Sequence, residues 1–412
     1  MRDVVVIGAG LAGLTAALRL ARAGRSVTLV ARGVGGLSLA QGTIDILGYT
    51  PERVLRPLDA VAAVPPEHPY AGLGPDAVAA AVTWLRDELG SELLVGDPAV
   101  NLHLPTALGA LRPTALAQPS MVAADARGGL TYAVVGVRQL KDFPADLVAG
   151  NLARSTAPDG GPLGATAAWV DLPARPGEAD PSGLTYARSL DDAAFADRFA
   201  VAVRDAAGAG DVVLLPGVLG VRPGAGRRLA ELIGRPVAEV PLLPPSVPGL
   251  RLADALRARV AAAGVRILLG SAVTGFTADG DRVATVTVAA AGGPRALAAS
   301  DFVYAPGGFE SGALAVDSRG AIAETVFGLP LTAADAAGLV GPRYWAPHPL
   351  FEVGVRTDAA GRPVAGDKVV HPNLYVAGGI LAGPEPWREK SGDGIAVATA
   401  VRAAAMIEGG AR

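Results

Sequence analysis

Three glycines near the N-terminus have the spacing of a phosphate-binding turn. The stretch GAGLAG places Gly8, Gly10 and Gly13 in the pattern GxGxxG. In such a turn the first glycine permits the tight bend, the second lets a phosphate approach the backbone, and the third lets helix and strand pack closely. A helix that begins there offers free N–H groups and a positive dipole end to the anion. The alternative is a purely structural turn, because glycines are common in turns.

The residues around this turn predict one βαβ unit. The apolar, β-branched run Asp3–Gly8 is typical of a buried parallel strand. A helical composition follows over Leu11–Ala23, with Gly24 in the position of a C-cap. Val27–Ala31 then reads as a second buried strand. Because a strand precedes the glycines and a helix and a strand follow them, the pattern favours nucleotide or flavin binding.

The end of this second strand lacks a residue that a dinucleotide site normally has. An Asp or Glu usually stands there and holds the ribose hydroxyls of the adenosine. Here the chain continues with Ala31 and Arg32. Two interpretations stay open: the acid comes from elsewhere in the chain, or the ligand has no adenosine. In both cases we expect Arg32 to lie near a phosphate.

Four further glycine-rich stretches are candidates for contact with the same ligand. They are GGLSLAQGTIDILG after the second strand, the strand ends DFVYAPGG and NLYVAGG, and SGDG at the start of the last helix. Each could instead be an ordinary turn or connector. The cofactor-binding residues predicted from all of these motifs are Gly8, Gly10, Gly13, Arg32, Gly36, Gln41, Gly42, Thr43, Gly307, Gly308, Gly378, Gly379, Ser391, Gly392, Asp393 and Gly394.

Composition limits the possible chemistry. Of 412 residues, 50% are hydrophobic, so a sizeable core is available, and a net charge of −3 gives no general attraction to nucleic acid or to an anionic membrane. There are no cysteines, which excludes disulfides and a protein-borne iron–sulfur cluster on this chain. The four histidines show no metal-ligand spacing, and we predict no metal site. Glycines and Arg19 interrupt the apolar N-terminus, so a buried strand and helix explain it better than a signal peptide or membrane span.

The order of the segments predicts an α/β fold in which a Rossmann-like flavin-binding domain is split. Its pieces are residues 1–50, 245–310 and 345–412, and an inserted α+β cap takes residues 51–244 and 311–344. Predicted strands that are followed directly by glycines occur in the three segments of the flavin-binding domain. The inserted region is instead rich in Pro, Gly and Ala.

Several elements can be placed from periodicity and turn residues. Helices are predicted over Pro75–Gly90, Ala193–Ala207, Leu250–Ala263 and Gly394–Ile407. The proline-punctuated stretch PLLPPSVPGLRL, residues 241–252, is predicted to be a stiff connector.

These stretches together resemble the fumarate reductase/succinate dehydrogenase-type flavoproteins. Within that group the sequence is most similar to the B-type subunits of anaerobic glycerol-3-phosphate dehydrogenases. Matching stretches are HPYAGLG (68–74), LPTALGALRPT (104–114), PLLPPSVPGLRL (241–252) and APGGFESGAL (305–314), and the similarity extends over nearly the whole chain. The GxGxxG pattern is shared by many flavoproteins, whereas the LRPT, LPPSVPG and GGFESG stretches are more specific.

The resemblance implies a flavin held between the split domain and the cap, with the helix that begins at Gly394 directed at the ring. It implies oxidation of sn-glycerol 3-phosphate to dihydroxyacetone phosphate, with electrons passed towards a quinone. In that family the B-type subunit is assigned FMN, its A-type companion is an FAD protein, and an iron–sulfur protein anchors both to the membrane. We therefore expect a cytoplasmic, peripheral protein with those two partners and no membrane span of its own.

The resemblance also bears on the type of flavin. FMN has no adenosine, so an FMN site has no use for an acid at Ala31, and Gly379 stands where FAD relatives often have Asp or Glu. There is no histidine in GGLSLAQG, where some relatives attach the flavin covalently. We therefore predict non-covalent FMN, with FAD as the alternative.

Catalytic residues are harder to predict from the sequence. The substrate phosphate needs Arg or Lys, and Arg112, Arg343, His348 and Arg388, together with Lys141, are weak candidates from their contexts. Each could equally be a surface charge or a loop residue, and the catalytic base stays unassigned. Two other interpretations stay open: a stand-alone FAD enzyme like fumarate reductase or ketosteroid dehydrogenase, and a non-catalytic electron-relay or scaffold subunit.

Overall fold

The structure is a computed structural model that describes residues 2–410. The helices are α1 (Leu11–Arg22), α2 (Pro57–Val61), α3 (Gly74–Leu89), α4 (Pro119–Val122), α5 (Ala145–Leu152), α6 (Gly183–Leu190), α7 (Ala193–Ala206), α8 (Ala225–Ile233), α9 (Val247–Ala262), α10 (Pro386–Glu389) and α11 (Gly392–Gly409). The strands are β1 (Arg2–Ile7), β2 (Val27–Ala31), β3 (Val95–Gly96), β4 (Leu102–Pro105), β5 (Leu111–Thr114), β6 (Leu116–Ala117), β7 (Thr131–Val137), β8 (Gly164–Val170), β9 (Val212–Pro216), β10 (Val237–Val240), β11 (Arg266–Leu269), β12 (Ala272–Asp279), β13 (Arg282–Ala289), β14 (Arg295–Tyr304), β15 (Leu314–Val316), β16 (Ile322–Glu324), β17 (Val364–Ala365), β18 (Lys368–Val369) and β19 (Leu374–Val376).

The larger sheet is built around the predicted βαβ unit. Its order is β11–β2–β1–β14–β13–β12, and β19 pairs with β14. The first half of β14 is antiparallel to β13, whereas its second half runs parallel between β1 and β19. In β1, Val4, Val5 and Val6 are fully buried, as the continuous apolar run predicts for a strand covered on both faces. The carboxyl ends of β1, β2 and β14 therefore lie side by side.

Helices α1, α3, α9 and α11 cover this sheet. Helix α1 packs against both α11 and α9, and α11 packs in turn against α3. Small side chains are fully buried along α1 and α11, among them Ala16, Ala17, Ala400 and Ala403. Because alanine adds little width, the two helix axes can approach closely.

The inserted region has a sheet and a core of its own. The order β10–β9–β7–β8 is parallel throughout. Phe143, Tyr132 and Leu214 are among the side chains buried in this second core. The predicted α/β fold with an inserted unit is confirmed, but the sequence pattern did not indicate that the sheet of the insertion is parallel.

The packing differs from the predicted domain boundaries in two places. Helix α3 lies in the predicted cap, yet its Val78 and Leu85 belong to the core of the larger sheet. Leu314 and Phe327, from the predicted cap segment 311–344, belong to the same core. Helix α3 packs against α11, which accounts for its place in this core.

Helix α9 begins earlier than the sequence analysis predicted. The Ser246 hydroxyl accepts a hydrogen bond from the Gly249 N–H at 3.3 Å, so Ser246 is the N-cap. Pro248 then occupies the first turn, where its missing N–H removes no helical hydrogen bond. The prediction that residues 241–252 form a connector is therefore wrong from residue 247 onwards. The last helix also begins slightly early, at Gly392.

A buried ion pair joins the insertion to the larger domain. Arg251 of α9 donates to Glu239 of β10 at 2.5 Å and to the side-chain oxygen of Gln118 at 2.7 Å. The Gln118 amide donates in turn to the carbonyls of Gly42 and Pro248, at 3.1 and 2.7 Å. The side chains of Arg251 and Glu239 are 4% and 0% exposed, so the pair is fully removed from water. Removal of one partner would leave an uncompensated buried charge.

We expect the substitution Arg251→Met to lower the free energy of unfolding by about 3–5 kcal/mol, because it strands the Glu239 carboxylate. Urea denaturation followed by circular dichroism measures this loss. Arg257→Met on the same helix is the matched control. Its ion pair with the exposed Asp254 should contribute no more than about 1 kcal/mol. Equal losses in the two variants would contradict the assignment, and Arg251→Met with Glu239→Gln should regain part of the loss.

Candidate functional site

A cavity of about 560 Å³ lies at the carboxyl ends of β1, β2 and β14. We call it the strand-end cavity. Its volume is within the range of small-molecule sites, about 300–1,000 Å³. Ligands of open α/β sheets bind at this edge. Of the residues predicted to bind a cofactor, six line the cavity: Gly8, Gly10, Arg32, Gly36, Gly307 and Gly308.

The three glycines of the GxGxxG turn meet different surroundings. Gly8 has a φ of +113°, and a Cβ there would overlap the carbonyl of Ala305. A Cβ on Gly13 would overlap the carbonyl of Gly8, so helix and strand touch backbone to backbone. Gly10 has no atom within 4 Å of where a Cβ would lie. It is also the N-cap of α1, with no side chain bonded to the helix end. The cavity therefore offers an open helix N-terminus to an anion.

The structure shows what stands at the end of β2, where the sequence lacks an acidic residue. Ala31 is buried, and Arg32 is exposed and donates to the carbonyl of Ser311 at 3.0 Å. Glu310, the neighbour of Ser311, also lines the cavity. The sequence analysis assigned no role to Glu310. The sequence did carry a signal for this residue. Glu310 follows shortly after a strand that ends in glycines, and that strand ends at the same sheet edge as β1 and β2.

The other predicted cofactor residues do not line this cavity. Gly378 has a φ of +80° and donates its N–H to the Thr399 hydroxyl at 3.0 Å, and a Cβ there would press on Ala12. The backbone of Gly379 lies against Gly308. The ten predicted residues outside the lining are Gly13, Gln41, Gly42, Thr43, Gly378, Gly379, Ser391, Gly392, Asp393 and Gly394. Their role in cofactor binding stays a prediction.

The N-terminus of α11 is in close contact with other segments of the chain. The Gly394 N–H donates to the carbonyl of Asp45 at 2.9 Å, so it does not face open space. A Cβ on Gly394 would overlap the Tyr70 hydroxyl and lie 2.9 Å from the Ile46 Cα. The Tyr70 hydroxyl itself donates to the Ile46 carbonyl at 2.8 Å. The 45–46 segment and Tyr70 thus occupy the space beside Gly394, whereas the placement of a flavin ring at this helix end stays a prediction.

A buried polar cluster lies at the same helix end. Arg112 donates to a carboxylate oxygen of Asp45 at 2.5 Å and to the Thr43 hydroxyl at 2.7 Å. The Asp45 N–H donates to the Asp393 carboxylate at 3.3 Å. Burial, and then the charge of Asp45, raise the pKa of Asp393 to about 7. The structure thus brings Arg112, a weak catalytic candidate, together with Thr43 and Asp393, which were predicted to bind the cofactor.

Two of the weak catalytic candidates lie together, because Arg388 and the backbone of His348 both contact Glu385. Arg112 belongs to the polar cluster, Arg388 pairs with Glu385 at 3.4 Å, and Arg343 is exposed. Lys141 is exposed and donates to the carbonyl of Arg138 at 2.8 Å.

His348 has both ring nitrogens engaged with its own loop. Nδ1 accepts from the Gly341 N–H at 3.1 Å, so Nε2 carries the proton and donates to the carbonyl of Tyr344 at 3.0 Å. This histidine shapes a loop and is not placed to accept a proton from a substrate. His348, Arg112 and Arg388 do not line the strand-end cavity.

The residues present fit the phosphate-bearing part of a flavin nucleotide at the strand-end cavity. The open space over Gly10 and the unbonded start of α1 would hold a phosphate, and Arg32 would add a positive charge. A bound flavin would supply the hydride acceptor for an oxidation. No group of three or more His, Asp or Glu within residues 2–410 could hold a metal ion. In the same residues, no helix combines the length and hydropathy of a membrane crossing.

Comparison with known proteins agrees with this site. Residues 3–395 match the family described as FAD binding domain. The chain is therefore a flavoprotein of that family. Two solved structures match more weakly: a 3-ketosteroid-Δ4-(5α)-dehydrogenase from Rhodococcus jostii RHA1 and a flavocytochrome c3 fumarate reductase. The first is 14% identical, with 99% of this chain and 96% of that chain covered and a TM-score of 0.41. The second is 16% identical, with 75% and 34% covered and a TM-score of 0.33.

Relatives with curated names assign the chain to a more specific family. A protein of Halobacterium salinarum, named as a probable B-type subunit of anaerobic glycerol-3-phosphate dehydrogenase, is 36% identical, with 96% of this chain and 95% of the relative covered. The corresponding proteins of Yersinia pestis and Vibrio vulnificus are each 32% identical. Their matches cover 98% and 97% of this chain, and 97% and 95% of the relatives. The chain belongs to this family, the B-type subunits of anaerobic glycerol-3-phosphate dehydrogenase.

We expect Gly10→Val to lower flavin affinity at least about tenfold, that is, by about 1.4 kcal/mol, without unfolding the protein. The added side chain would enter open space where a phosphate should approach. Fluorescence titration with flavin, beside thermal melts of flavin-free protein, measures the two effects. Wild-type affinity in Gly10→Val would contradict the placement.

Gly8→Ala should instead destabilise the flavin-free fold by more than Gly24→Ala. Both glycines have positive φ, which costs a non-glycine residue about 1–3 kcal/mol. Only the Gly8 Cβ would also overlap a carbonyl, whereas Gly24 has free space. Thermal melts of these two variants therefore separate backbone strain from steric overlap.

The raised pKa of Asp393 predicts a pH dependence of stability. The folded chain keeps a proton on Asp393 up to about pH 7, whereas the unfolded carboxyl, with a pKa near 3.8, has already released it. The free energy of unfolding should therefore fall as pH rises between these values, by up to about 1.4 kcal/mol per pH unit. Urea denaturation at pH 5, 6 and 7 measures this slope. Asp393→Asn should flatten it and the exposed Asp367→Asn should not; an unchanged slope in Asp393→Asn would contradict the assignment.

Proposed function

We propose that this chain is a flavoprotein subunit of a respiratory enzyme that oxidises sn-glycerol 3-phosphate to dihydroxyacetone phosphate. Electrons would pass through its flavin towards a quinone pool. The observation that carries the proposal is identity of 32–36% to curated B-type subunits over at least 95% of both chains. The strand-end cavity, with its open helix end and Arg32, supports flavin binding in this role.

We propose non-covalent FMN as the flavin. Ala31 carries no carboxylate for the adenosine of FAD, and FMN has no adenosine. Gly379 likewise lacks the carboxylate that FAD relatives often have at this position. One observation favours FAD as the alternative: Glu310 lines the same cavity, and its neighbour Ser311 contacts Arg32 directly after β2. Glu310 could thereby offer the ribose hydroxyls a carboxylate from another segment.

A second candidate function is electron relay without a substrate site beside the flavin. It is favoured by the bond from the Gly394 N–H to the Asp45 carbonyl and by the pairing of Arg112 and Arg388 with acids of the same chain. In that case the catalytic partner would bind glycerol 3-phosphate.

The proposed partners are a catalytic subunit that contains FAD and an iron–sulfur protein at the inner face of the cell membrane. The chain has no cysteine, so clusters held by thiolates must lie on another protein. The loop that His348 shapes presents Tyr344 and Trp345 with 78% and 79% exposure. Aromatic side chains are enriched in protein interfaces, which supports a partner chain.

The experiment is co-expression with both partners, followed by assay of dye reduction on addition of sn-glycerol 3-phosphate. We expect activity from the complex, its loss in a complex that carries Gly10→Val, and FMN as the flavin that mass spectrometry finds in the denatured chain. FAD at one per chain would overturn the FMN assignment. Full activity in the Gly10→Val complex without flavin on this chain would overturn both redox functions and leave a scaffold. Turnover by the isolated chain with FAD would indicate a stand-alone enzyme.

A further inference from the structure

A second cavity, of about 410 Å³, lies among three segments of the larger domain. It is bounded by residues 66–72 before α3, by residues 355–364 around the start of β17, and by helix α11. It shares no lining residue with the strand-end cavity. We call it the Arg402 pocket, after the charged side chain that α11 contributes.

Arg402 is an unusual residue for its position. Helix α11 is mostly buried and otherwise rich in Ala, Val and Ile. The Arg402 Nε is buried and has no hydrogen-bond partner among residues 2–410. Gly72 and Gly361 flank the guanidinium, and a Cβ on either would lie 3.6 or 3.4 Å from one of its nitrogens. Burial lowers the pKa of Arg402, and the charge of Asp358 opposes this effect.

The acids that line the pocket do not neutralise this guanidinium directly. Asp358 is held by Arg362, whose nitrogens lie 2.7 and 2.8 Å from one carboxylate oxygen. Its other oxygen accepts from the N–H groups of Ala360 and Arg362, at 3.0 and 2.9 Å. Glu67 is exposed to solvent. Arg402 forms no hydrogen bond or ion pair within residues 2–410, so its half-buried charge lacks a partner and the open space beside its outer nitrogens indicates a ligand.

The remaining lining groups fit an anion. Arg356 adds a second positive charge and Thr357 a hydroxyl. The His68 Nδ1 accepts from the Tyr70 N–H at 3.1 Å, so its Nε2 carries the proton and donates to Glu389 at 3.3 Å. His68 is therefore a fixed wall of the pocket with no proton acceptor to spare.

We propose that the Arg402 pocket binds a small phosphate-bearing anion. Two guanidinium groups match the charge of a phosphate dianion, and arginine is the side chain best suited to bind phosphate oxygens. The site goes beyond the proposed function and needs neither flavin nor turnover. The sequence analysis named neither Arg356 nor Arg402.

The test is isothermal titration of the flavin-saturated protein, so that the strand-end cavity is already filled. The probes are inorganic phosphate, sn-glycerol 3-phosphate and glycerol, at constant ionic strength. We expect the first two to bind and glycerol not to bind. Arg402→Gln should weaken binding at least tenfold, and Arg402→Lys less, because lysine keeps the charge. The exposed Arg295→Gln is the matched control and should bind like the wild type.

Arg356→Gln is the second variant, in case Arg402→Gln fails to fold, and it should also weaken binding. Absence of binding by both phosphate compounds, or wild-type affinity in the folded Arg402 and Arg356 variants, would overturn the proposal. Binding of glycerol 3-phosphate at least tenfold tighter than phosphate would identify a phosphate monoester, and equal binding would identify free phosphate as sufficient. Because the readout is binding, an inactive complex would contradict the proposed function without contradicting this site.

Discussion

The contact of the Gly8 backbone with Ala305 on one side and Gly13 on the other is the constraint on which the candidate site depends. No Cβ fits at Gly8 or Gly13, so the end of β1, the end of β14 and the start of α1 meet at backbone distance. This contact fixes the open N-terminus of α1 between three strand ends. It leaves Gly10, which has free space, as the position where a ligand can approach the helix. Within the GxGxxG spacing, Gly8 and Gly13 therefore allow close packing, and Gly10 allows a ligand to approach.

The insertion is attached to this centre by hydrogen bonds that reach its glycine-rich loop. Arg251 holds Glu239 of the second sheet and Gln118, and the Gln118 amide holds the carbonyl of Gly42. Arg112 of β5 holds Thr43, the next residue of that loop. The loop after β2 is thus held by Gln118 and Arg112, two buried side chains of the insertion. Because unpaired buried charges are costly, the insertion and the larger domain should hold one relative arrangement.

The sequence predicted what depends on local pattern and missed what depends on partners distant in the chain. The βαβ unit was predicted within a residue or two, because burial and turn glycines leave local signatures. Whether strands β7 to β10 pair in parallel depends on which strands lie next to one another in space. Hydrophobic periodicity and composition do not contain that information. Arg402 looked like any helical arginine, and only the fold shows that residues 355–364 surround it. The start of α9 was missed for a different reason: Ser246 capped a helix within a run of prolines that was taken for a connector.

The N-terminus of α11 bears on how the flavin of this protein would be tuned. A helix end stabilises a nearby negative charge by about 0.3–2 kcal/mol, and the effect falls off within the first turn. Here that first turn already carries Asp393, and the Gly394 N–H is taken by the carbonyl of Asp45. The Gly394 N–H is therefore not available to the ring of a reduced flavin, which the resemblance places at this helix end. A flavin in the strand-end cavity would be stabilised instead by α1 and Arg32, which act on its phosphate and not on its ring. Any gain in flavin potential from α11 would then come from the N–H groups of Gly392 and Asp393, and not from that of Gly394.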